Sequence, residues 1–96
     1  MAAYVIVDVS ITDPAGYEEY RRQSAATVAA YGGRFLARGG AVTTLEGNRS
    51  AGRLVVLEFE SVERAHEWWS SPEYAAIKPI RQRTAKTQMI VVAGVE

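Results

Sequence analysis

The sequence contains no cysteine and a single histidine among its 96 residues. The lack of cysteine excludes disulfide bonds, zinc–thiolate sites and a cysteine nucleophile. One histidine without cysteine cannot build a usual zinc or non-haem iron centre, so we expect no metal and no cofactor. A haem protein is the weaker alternative, because ligating histidines usually lie in deep apolar pockets and His66 is expected on a helix flank.

An excess of charge of one sign is lacking as well. Eleven Lys and Arg balance eleven Asp and Glu, and the two signs are interspersed, which favours neither nucleic acid nor an acidic membrane surface as a partner. No segment approaches the ~20 apolar residues of a membrane span. The first residues carry no basic region, and Asp8 interrupts the apolar run that follows, so no signal peptide is expected. We therefore expect a cytoplasmic protein.

What is present suits one domain over residues 1–96, with 48% hydrophobic and 23% charged residues. The chain is organised around residues 53–74, which predict an apolar strand followed by two short helices. Side chains alternate between the faces of a strand. One face of this strand carries Val55, Leu57 and Phe59, and the other carries Leu54, Val56 and Glu58. Bulky apolar groups on both faces indicate that both are buried.

The two helices after this strand begin at good capping residues. Ser61 and Ser71 are predicted N-caps, and Pro72 takes the first position of the second helix. The apolar stripe of the first helix predicts Trp69 in the core and Trp68 at its edge. Pro79 is expected to stop or restart the second helix, because it lacks an N–H and crowds the preceding turn.

The rest of the chain supplies one long helix and three further strands. The predicted elements are a strand over Tyr4–Ile11, a helix from the N-cap Asp13 to Tyr31, a strand over Arg34–Arg38 that continues over Ala41–Leu45, and a strand over Thr87–Val95. The order strand, helix, strand, strand, helix, strand is the split βαβ, or ferredoxin-like, pattern. It predicts an α+β fold: a four-stranded antiparallel sheet with helices on one face.

Helices on one face leave the other face of the sheet uncovered. We expect that face to carry Tyr4, Ile6, Leu36, Leu54 and Val56. Apolar patches of ~300–600 Å² are the largest that monomers usually expose, and burying each large side chain contributes ~1.5–3 kcal/mol. We therefore predict a homodimer packed sheet to sheet. The alternation places charged and polar side chains on the same face, namely Asp8, Ser10 and Glu58 and, if the register of the 34–38 strand holds, Arg34 and Arg38.

Several motifs together resemble a known family. They are the segment Tyr-Gly-Gly-Arg-Phe-Leu-Ala-Arg-Gly-Gly over 31–40, Leu45-Glu46-Gly47, Glu58-Phe59, Ala65, Trp-Trp-Ser-Ser-Pro-Glu-Tyr over 68–74, and Arg81. The combination is similar to the bacterial domain of unknown function numbered 1330, in the dimeric α/β-barrel superfamily. It departs at Trp69, where that family more often has tyrosine. The resemblance implies a ferredoxin-like protomer and a sheet-to-sheet dimer, without an established activity. Relatives in the superfamily include cofactor-free monooxygenases, lactone isomerases, haem-dependent enzymes and stress-induced proteins.

The candidate chemistry lies in the polar residues. If Asp8, Glu58, Arg38 and Arg81 converge on a dimer cavity, an arginine could hold a carboxylate or enolate and a carboxylate could move a proton. The alternative is a set of interface salt bridges. His66 is a further catalytic candidate, with a solvated helix flank as the alternative. Trp68 and Tyr74 are candidate substrate contacts, although core packing is their usual role.

We hypothesise a cofactor-independent small-molecule enzyme of isomerase or monooxygenase type, with its pocket between the sheet and its partner. The alternative is a non-catalytic ligand-binding or stress-related dimer. Cavity volume distinguishes them, since an enzyme or ligand carrier is expected to keep ~300 Å³ or more open.

Overall fold

The computed structural model of the chain describes residues 2–48 and 52–95. In chain order the elements are β1 (Ala3–Ile11), α1 (Pro14–Ala30), β2 (Arg34–Arg38), β3 (Arg53–Phe59), α2 (Val62–Trp69), α3 (Pro72–Thr84) and β4 (Ala85–Ala93). The strands form one antiparallel sheet in the order β2-β3-β1-β4. The predicted ferredoxin-like α+β architecture is confirmed.

Alternation along β1 and β3 divides the sheet into two faces. The helix-covered face carries side chains that are at most 7% exposed, namely Val5, Val7, Val9, Val55, Leu57 and Phe59. The opposite face, called the open face below, is built from rows across β3, β1 and β4: Glu58–Tyr4–Val92, Val56–Ile6–Ile90 and Leu54–Asp8–Gln88. Ile90 is 61% exposed and Val92 is 46% exposed. The sheet is therefore apolar on both sides, as predicted, and the helices of this chain cover one of them.

Helix α1 is fixed at both ends by the residues that predict its bounds. The Gly16 N–H donates to Asp13 Oδ1 at 3.2 Å, which confirms the N-cap. Gly32 has φ 74° just after the helix, the left-handed conformation that glycine adopts without a Cβ clash. The buried face of α1 carries Tyr17, Tyr20, Ser24, Thr27 and Val28. Within the described ranges, no helix combines the length and the apolar character needed to cross a bilayer.

Trp68, and not Trp69, is the core tryptophan. Trp68 is 1% exposed and Trp69 is 45% exposed, so the predicted assignment of the pair was wrong. Both tryptophans fit a stripe through Ala65, since spacings of three and four residues share a helix face. What separates them is the indole N–H, which needs a partner when buried. Trp68 Nε1 donates to Thr27 Oγ1 at 3.1 Å, whereas the exposed Trp69 ring contacts Lys78, whose Nζ lies 3.5 Å from the ring centroid.

Helix α3 runs through Pro79 without interruption, so the predicted stop at that residue was wrong. A proline inside a helix leaves the carbonyl four residues earlier without its N–H donor. Here that carbonyl belongs to Ala75, and both Ala75 and Pro79 are exposed. Water can therefore donate a hydrogen bond to the free carbonyl, which lowers the cost of a proline inside the helix.

Strand β2 contains one extra residue. Phe35 pairs with Leu57 and Ala37 pairs with Val56, so the register shifts between them. A one-residue shift moves every later side chain to the other face of the sheet. Arg38 consequently pairs with the buried Val55 and lies on the helix side. The regular register on which its predicted place on the open face depended does not hold.

The chain leaves the sheet directly after Arg38. Gly39 has φ 74°, and its N–H donates to the Leu54 carbonyl at 2.9 Å. Such a turn directs the backbone away from β3, and residues 41–45 form no strand. The predicted continuation over Ala41–Leu45 was therefore wrong.

The position of the two tryptophans gives a matched test of the core. We expect Trp68→Ala to lower the free energy of unfolding by ~3–5 kcal/mol, because it removes a fully packed ring. Trp69→Ala, at an exposed site, should cost less than ~1 kcal/mol. Urea denaturation followed by circular dichroism measures both, and similar costs for the two variants would contradict this description of the core.

Candidate functional site

The structure separates the residues that the sequence predicts to act together. Asp8 and Glu58 lie on the open face, whereas Arg38 and Arg81 lie on the helix side. Glu58 Oε1 accepts a hydrogen bond from Arg34 Nε at 2.7 Å within the same chain. This pair lies within one chain, so the choice between a pocket and an interface salt bridge for Glu58 stays a prediction.

The other candidates lie on α2 and α3. His66 is exposed, as the solvated-flank alternative expects. Tyr74 is fully buried beside Trp68, with ring centroids 4.3 Å apart. Catalytic roles for Asp8, Glu58 and His66 stay predictions, and none of these three residues lines the cavity described next.

A small cavity lies between the helices and the covered face of the sheet, with a volume of about 30 Å³. Four arginines line it, namely Arg21, Arg38, Arg53 and Arg81, together with Tyr17, Tyr20 and mostly apolar walls. We call it the arginine cavity. Among its lining residues in the described part of the chain there is no carboxylate and no histidine. The cavity thus concentrates positive charge, which Glu18 balances in part: its Oε1 lies 3.3 Å from Nη1 of the half-exposed Arg21.

Arg81 anchors a chain of buried hydrogen bonds. Its Nε donates to the Tyr74 hydroxyl at 3.1 Å, and its Nη1 donates to the Thr87 hydroxyl. The hydroxyls of Tyr74 and Tyr20 lie 2.8 Å apart. Because a guanidinium only donates, Tyr74 can accept from Arg81 and donate to Tyr20. The Tyr20 proton is then left for an acceptor in the cavity that Tyr20 lines.

Both cavity tyrosines are held in the neutral form. Burial, reinforced by the neighbouring Tyr74, raises the pKa of Tyr20 above its ordinary value near 10.0. Burial also raises the pKa of Tyr17, and the Arg53 guanidinium opposes that rise. At neutral pH these phenols are therefore hydrogen-bond donors and not proton acceptors.

Arg38, the last residue of β2, contacts α1. Its Nη2 donates to the Arg21 carbonyl at 2.5 Å and to Ser24 Oγ at 3.2 Å. Its guanidinium carbon lies 4.2 Å from the centroid of the Phe35 ring, within the range of a cation–π contact. Burial, with the nearby charge of Arg21, lowers the pKa of Arg38.

Two arginines bring unpaired donors to the cavity. The Nε atoms of Arg21 and Arg53 are shielded from solvent and have no hydrogen-bond partner among the described residues. Arg53 packs on Gly39, where an added Cβ would lie 2.5 Å from the Arg53 guanidinium carbon. Leaving a buried donor unsatisfied costs ~1–3 kcal/mol. An acceptor atom bound in the cavity would remove that cost.

The arrangement suits an anion more than a cation. It offers guanidinium and phenol donors in a largely apolar surround, where charge-assisted hydrogen bonds are strong. Across residues 2–48 and 52–95, no cluster of His, Asp and Glu could hold a metal ion. Sequence reasoning identified Arg38 and Arg81 but missed Arg21 and Arg53. Arg21 lies in a charged stretch of α1, and no local pattern marks Arg53.

The buried phenol of Tyr20 predicts a loss of stability in alkali. In the unfolded chain tyrosine ionises near pH 10, whereas the folded pKa of Tyr20 is higher. The contribution of Tyr20 to the free energy of unfolding is therefore fully present below about pH 10. Above that pH it falls by ~1.4 kcal/mol per pH unit until the folded pKa is reached.

Urea unfolding between pH 8 and pH 11 tests this expectation. In Tyr20→Phe the free energy of unfolding should fall less steeply with pH above pH 10, by the amount that one titrating group contributes. At pH 8 the variant should be less stable by ~1 kcal/mol, because the hydroxyl and its hydrogen bond are lost. Equal slopes for the wild type and the variant would refute the buried, neutral Tyr20.

Solved structures share this fold at low sequence identity. A protein of unknown function from Rhodopseudomonas palustris aligns with a TM-score of 0.78 and 19% identity, over 99% of this chain and 83% of that one. SnoaB, a cofactor-independent oxygenase from Streptomyces nogalater, aligns with a TM-score of 0.67 and 13% identity, over 99% and 94%. A dimeric ferredoxin-like protein of unknown function from Thermobifida fusca gives 0.67 and 17%, over 98% and 92%. At these identities the likeness concerns the fold.

The family follows from the sequence match. No curated protein matches the chain, but the model of the family described as "Domain of unknown function (DUF1330)" matches residues 2–95. This match agrees with the motif resemblance and covers nearly the whole chain. The protein belongs to the DUF1330 family.

Proposed function

We propose that the protein is a homodimer that binds a small organic anion in the arginine cavity and stabilises it in its deprotonated form. Such binding is what a cofactor-independent enzyme of isomerase or oxygenase type requires for an enolate or phenolate. The observation that carries the proposal is the pair of buried, unpaired Nε donors of Arg21 and Arg53 in a cavity without a carboxylate.

The energetics support an anion as the missing partner. Buried polar groups are almost always hydrogen-bonded, so unpaired donors call for a specific explanation. Two such donors line one cavity, beside the guanidinium groups of Arg38 and Arg81. A carboxylate or enolate oxygen would supply both the acceptors and the negative charge. A neutral ligand would supply the acceptors alone.

The proposed chemistry is stabilisation of an oxyanion. Donors that are already oriented toward developing negative charge lower the free energy of a transition state without reorganisation. Arg53 would neutralise the charge, and the proton of Tyr20 would be shared with the oxyanion. Both phenols are neutral at physiological pH, so their role is donation. The fold shared with SnoaB, described as a cofactor-independent oxygenase, is compatible with this chemistry.

The non-catalytic alternative is favoured by one specific observation. No carboxylate or histidine of the described chain lines the arginine cavity, so no side chain there accepts a proton readily at neutral pH. A ligand-binding dimer would need only the arginines and Tyr20. The two functions share the binding step, and only the enzyme converts the bound anion.

The proposed dimer interface is the open face. Ile6, Val56 and Ile90 form a continuous apolar row across three strands, and Ile90 is 61% exposed in the single chain. A relative of the same fold is described as dimeric, which supports a homodimer here. A second copy covers such a face symmetrically.

Ligand binding is testable by thermal unfolding with acetate and benzoate against the matched amides, acetamide and benzamide. We expect the carboxylates, and not the amides, to stabilise the protein, by ~2.7 kcal/mol at 100 times Kd. For a chain of this size each kcal/mol raises Tm by roughly 4–8 °C. Arg53→Gln should abolish the carboxylate effect, because it removes the one of the four lining guanidinium groups that is proposed to neutralise the anion.

Arg83→Gln is the matched control, since Arg83 is exposed near the end of α3 and should leave the response unchanged. Without ligand, the free energy of unfolding of Arg53→Gln should lie within ~1 kcal/mol of the wild-type value or above it, because the Nε atom of Arg53 makes no hydrogen bond. Equal stabilisation by amides, or an unchanged response in Arg53→Gln, would refute the anion site.

Dimerisation through the open face is tested with Val56→Lys. A lysine at the centre of the apolar row should raise the dimer dissociation constant at least ~10-fold, because a charge would be buried between two sheets. Val95→Lys, at a site that is 99% exposed, should leave it unchanged. Sedimentation velocity over a dilution series measures both, and a folded wild-type monomer at all concentrations would disprove the interface.

A further inference from the structure

A second space adjoins the arginine cavity. It is a groove of about 250 Å³ between α2 and the edge strand β4. Seven of its eight lining residues are apolar, and His66 is the exception. We call it the α2–β4 groove. Trp68 and Met89 line both the groove and the arginine cavity, so these two side chains form the wall between them.

Polarity is divided sharply between the two spaces. The arginine cavity has guanidinium and phenol donors and about 30 Å³, enough for a small anionic group. The groove has apolar walls and about eight times that volume. Together they approach the ~300 Å³ at the lower end of small-molecule pockets, which neither space reaches alone. A molecule that matches both has a charged head and an apolar body.

The two residues of the shared wall differ in freedom. Trp68 is pinned, since its indole N–H donates to Thr27 and its ring packs on Phe59 and Tyr74. Met89 is only partly buried and pairs across strands with Val7. An unbranched thioether with three rotatable bonds changes conformation at little cost. Any opening between the two spaces therefore involves Met89.

We propose that the ligand of the arginine cavity is an amphipathic monoanion: its carboxylate binds Arg53 and Tyr20, and its apolar body occupies the α2–β4 groove after Met89 moves aside. This inference rests on the proposed anion site and names its ligand class. The anion site does not need the groove. The inference assigns to the groove the selection of ligands by the length of their apolar body. Met89 is a positioning residue, since it admits the ligand body and contributes no charge.

The test uses straight-chain carboxylates below their micelle concentrations, from acetate to octanoate, with affinities measured by calorimetry. We expect affinity to rise about two- to fourfold for each added methylene that enters the groove. Val91→Phe narrows the groove without touching the arginine cavity. It should remove the gain from chain length and leave acetate binding unchanged. Val95→Phe, at an exposed site, is the matched control and should keep the gain.

Methionine NMR supplies a second readout that does not depend on Val91→Phe folding. The chain has two methionines, so a sample labelled at the methionine methyl carbons gives two resonances, and Met89→Leu identifies the one from Met89. Octanoate should shift the Met89 resonance, and acetate should shift it far less. The Met89→Leu protein should still bind acetate.

The outcomes separate the two proposals. If acetate binds through Arg53 but octanoate binds no more tightly and leaves the Met89 resonance unshifted, the anion site is supported and the proposal of an amphipathic ligand is refuted. If no carboxylate binds, or Arg53→Gln binds all of them normally, the anion site itself fails and the inference fails with it. A chain-length gain that survives in Val91→Phe also overturns the groove as the binding site.

Discussion

The alternation of side chains in a single antiparallel sheet is the constraint on which the rest of this structure depends. Because both faces of β1 and β3 are apolar, both have to be covered. The helices cover the face of Val5, Val7 and Leu57, and the row of Ile6, Val56 and Ile90 remains. The described features divide in the same way: the apolar row lies on the open face, and the arginine cavity lies beneath the helices.

The extra residue in β2 breaks this alternation and thereby determines the site. With a regular strand, Arg38 would share the open face with Arg34 and Glu58. The shift after Phe35 instead places Arg38 against Val55 and α1. A positive charge is thus moved from the open face, which carries Asp8 and Glu58, to a cavity whose lining holds no carboxylate. The electrostatics of the cavity therefore depend on one irregularity in an edge strand.

What could be predicted from the sequence is what depends on short-range pattern. Caps, strand alternation and the order of elements follow from neighbouring residues, and Asp13 and Gly32 took their predicted roles. The errors arose where a choice depends on distant partners. Trp68 and Trp69 fit the helical stripe equally, and a hydroxyl of α1, Thr27, selects between them. A register shift depends on β3 as much as on β2, so the face of Arg38 could not be derived from the 34–38 segment alone.

The loss of folding stability caused by the arginine cavity bears on its proposed function. Unpaired buried donors oppose folding by ~1–3 kcal/mol each, and a chain of this size has only ~5–15 kcal/mol to spare. The same region is otherwise tightly packed, with Trp68, Phe59 and Tyr74 in mutual ring contact. Packing of that quality offsets the unsatisfied donors of Arg21 and Arg53, so they persist without unfolding the chain. Sites that sacrifice stability in this way are typical of binding and catalysis, where the missing partner arrives as a ligand. The aromatic wall of Trp68, Phe59 and Tyr74 is rigid, and under the proposal above Met89 would decide which ligand reaches the charges.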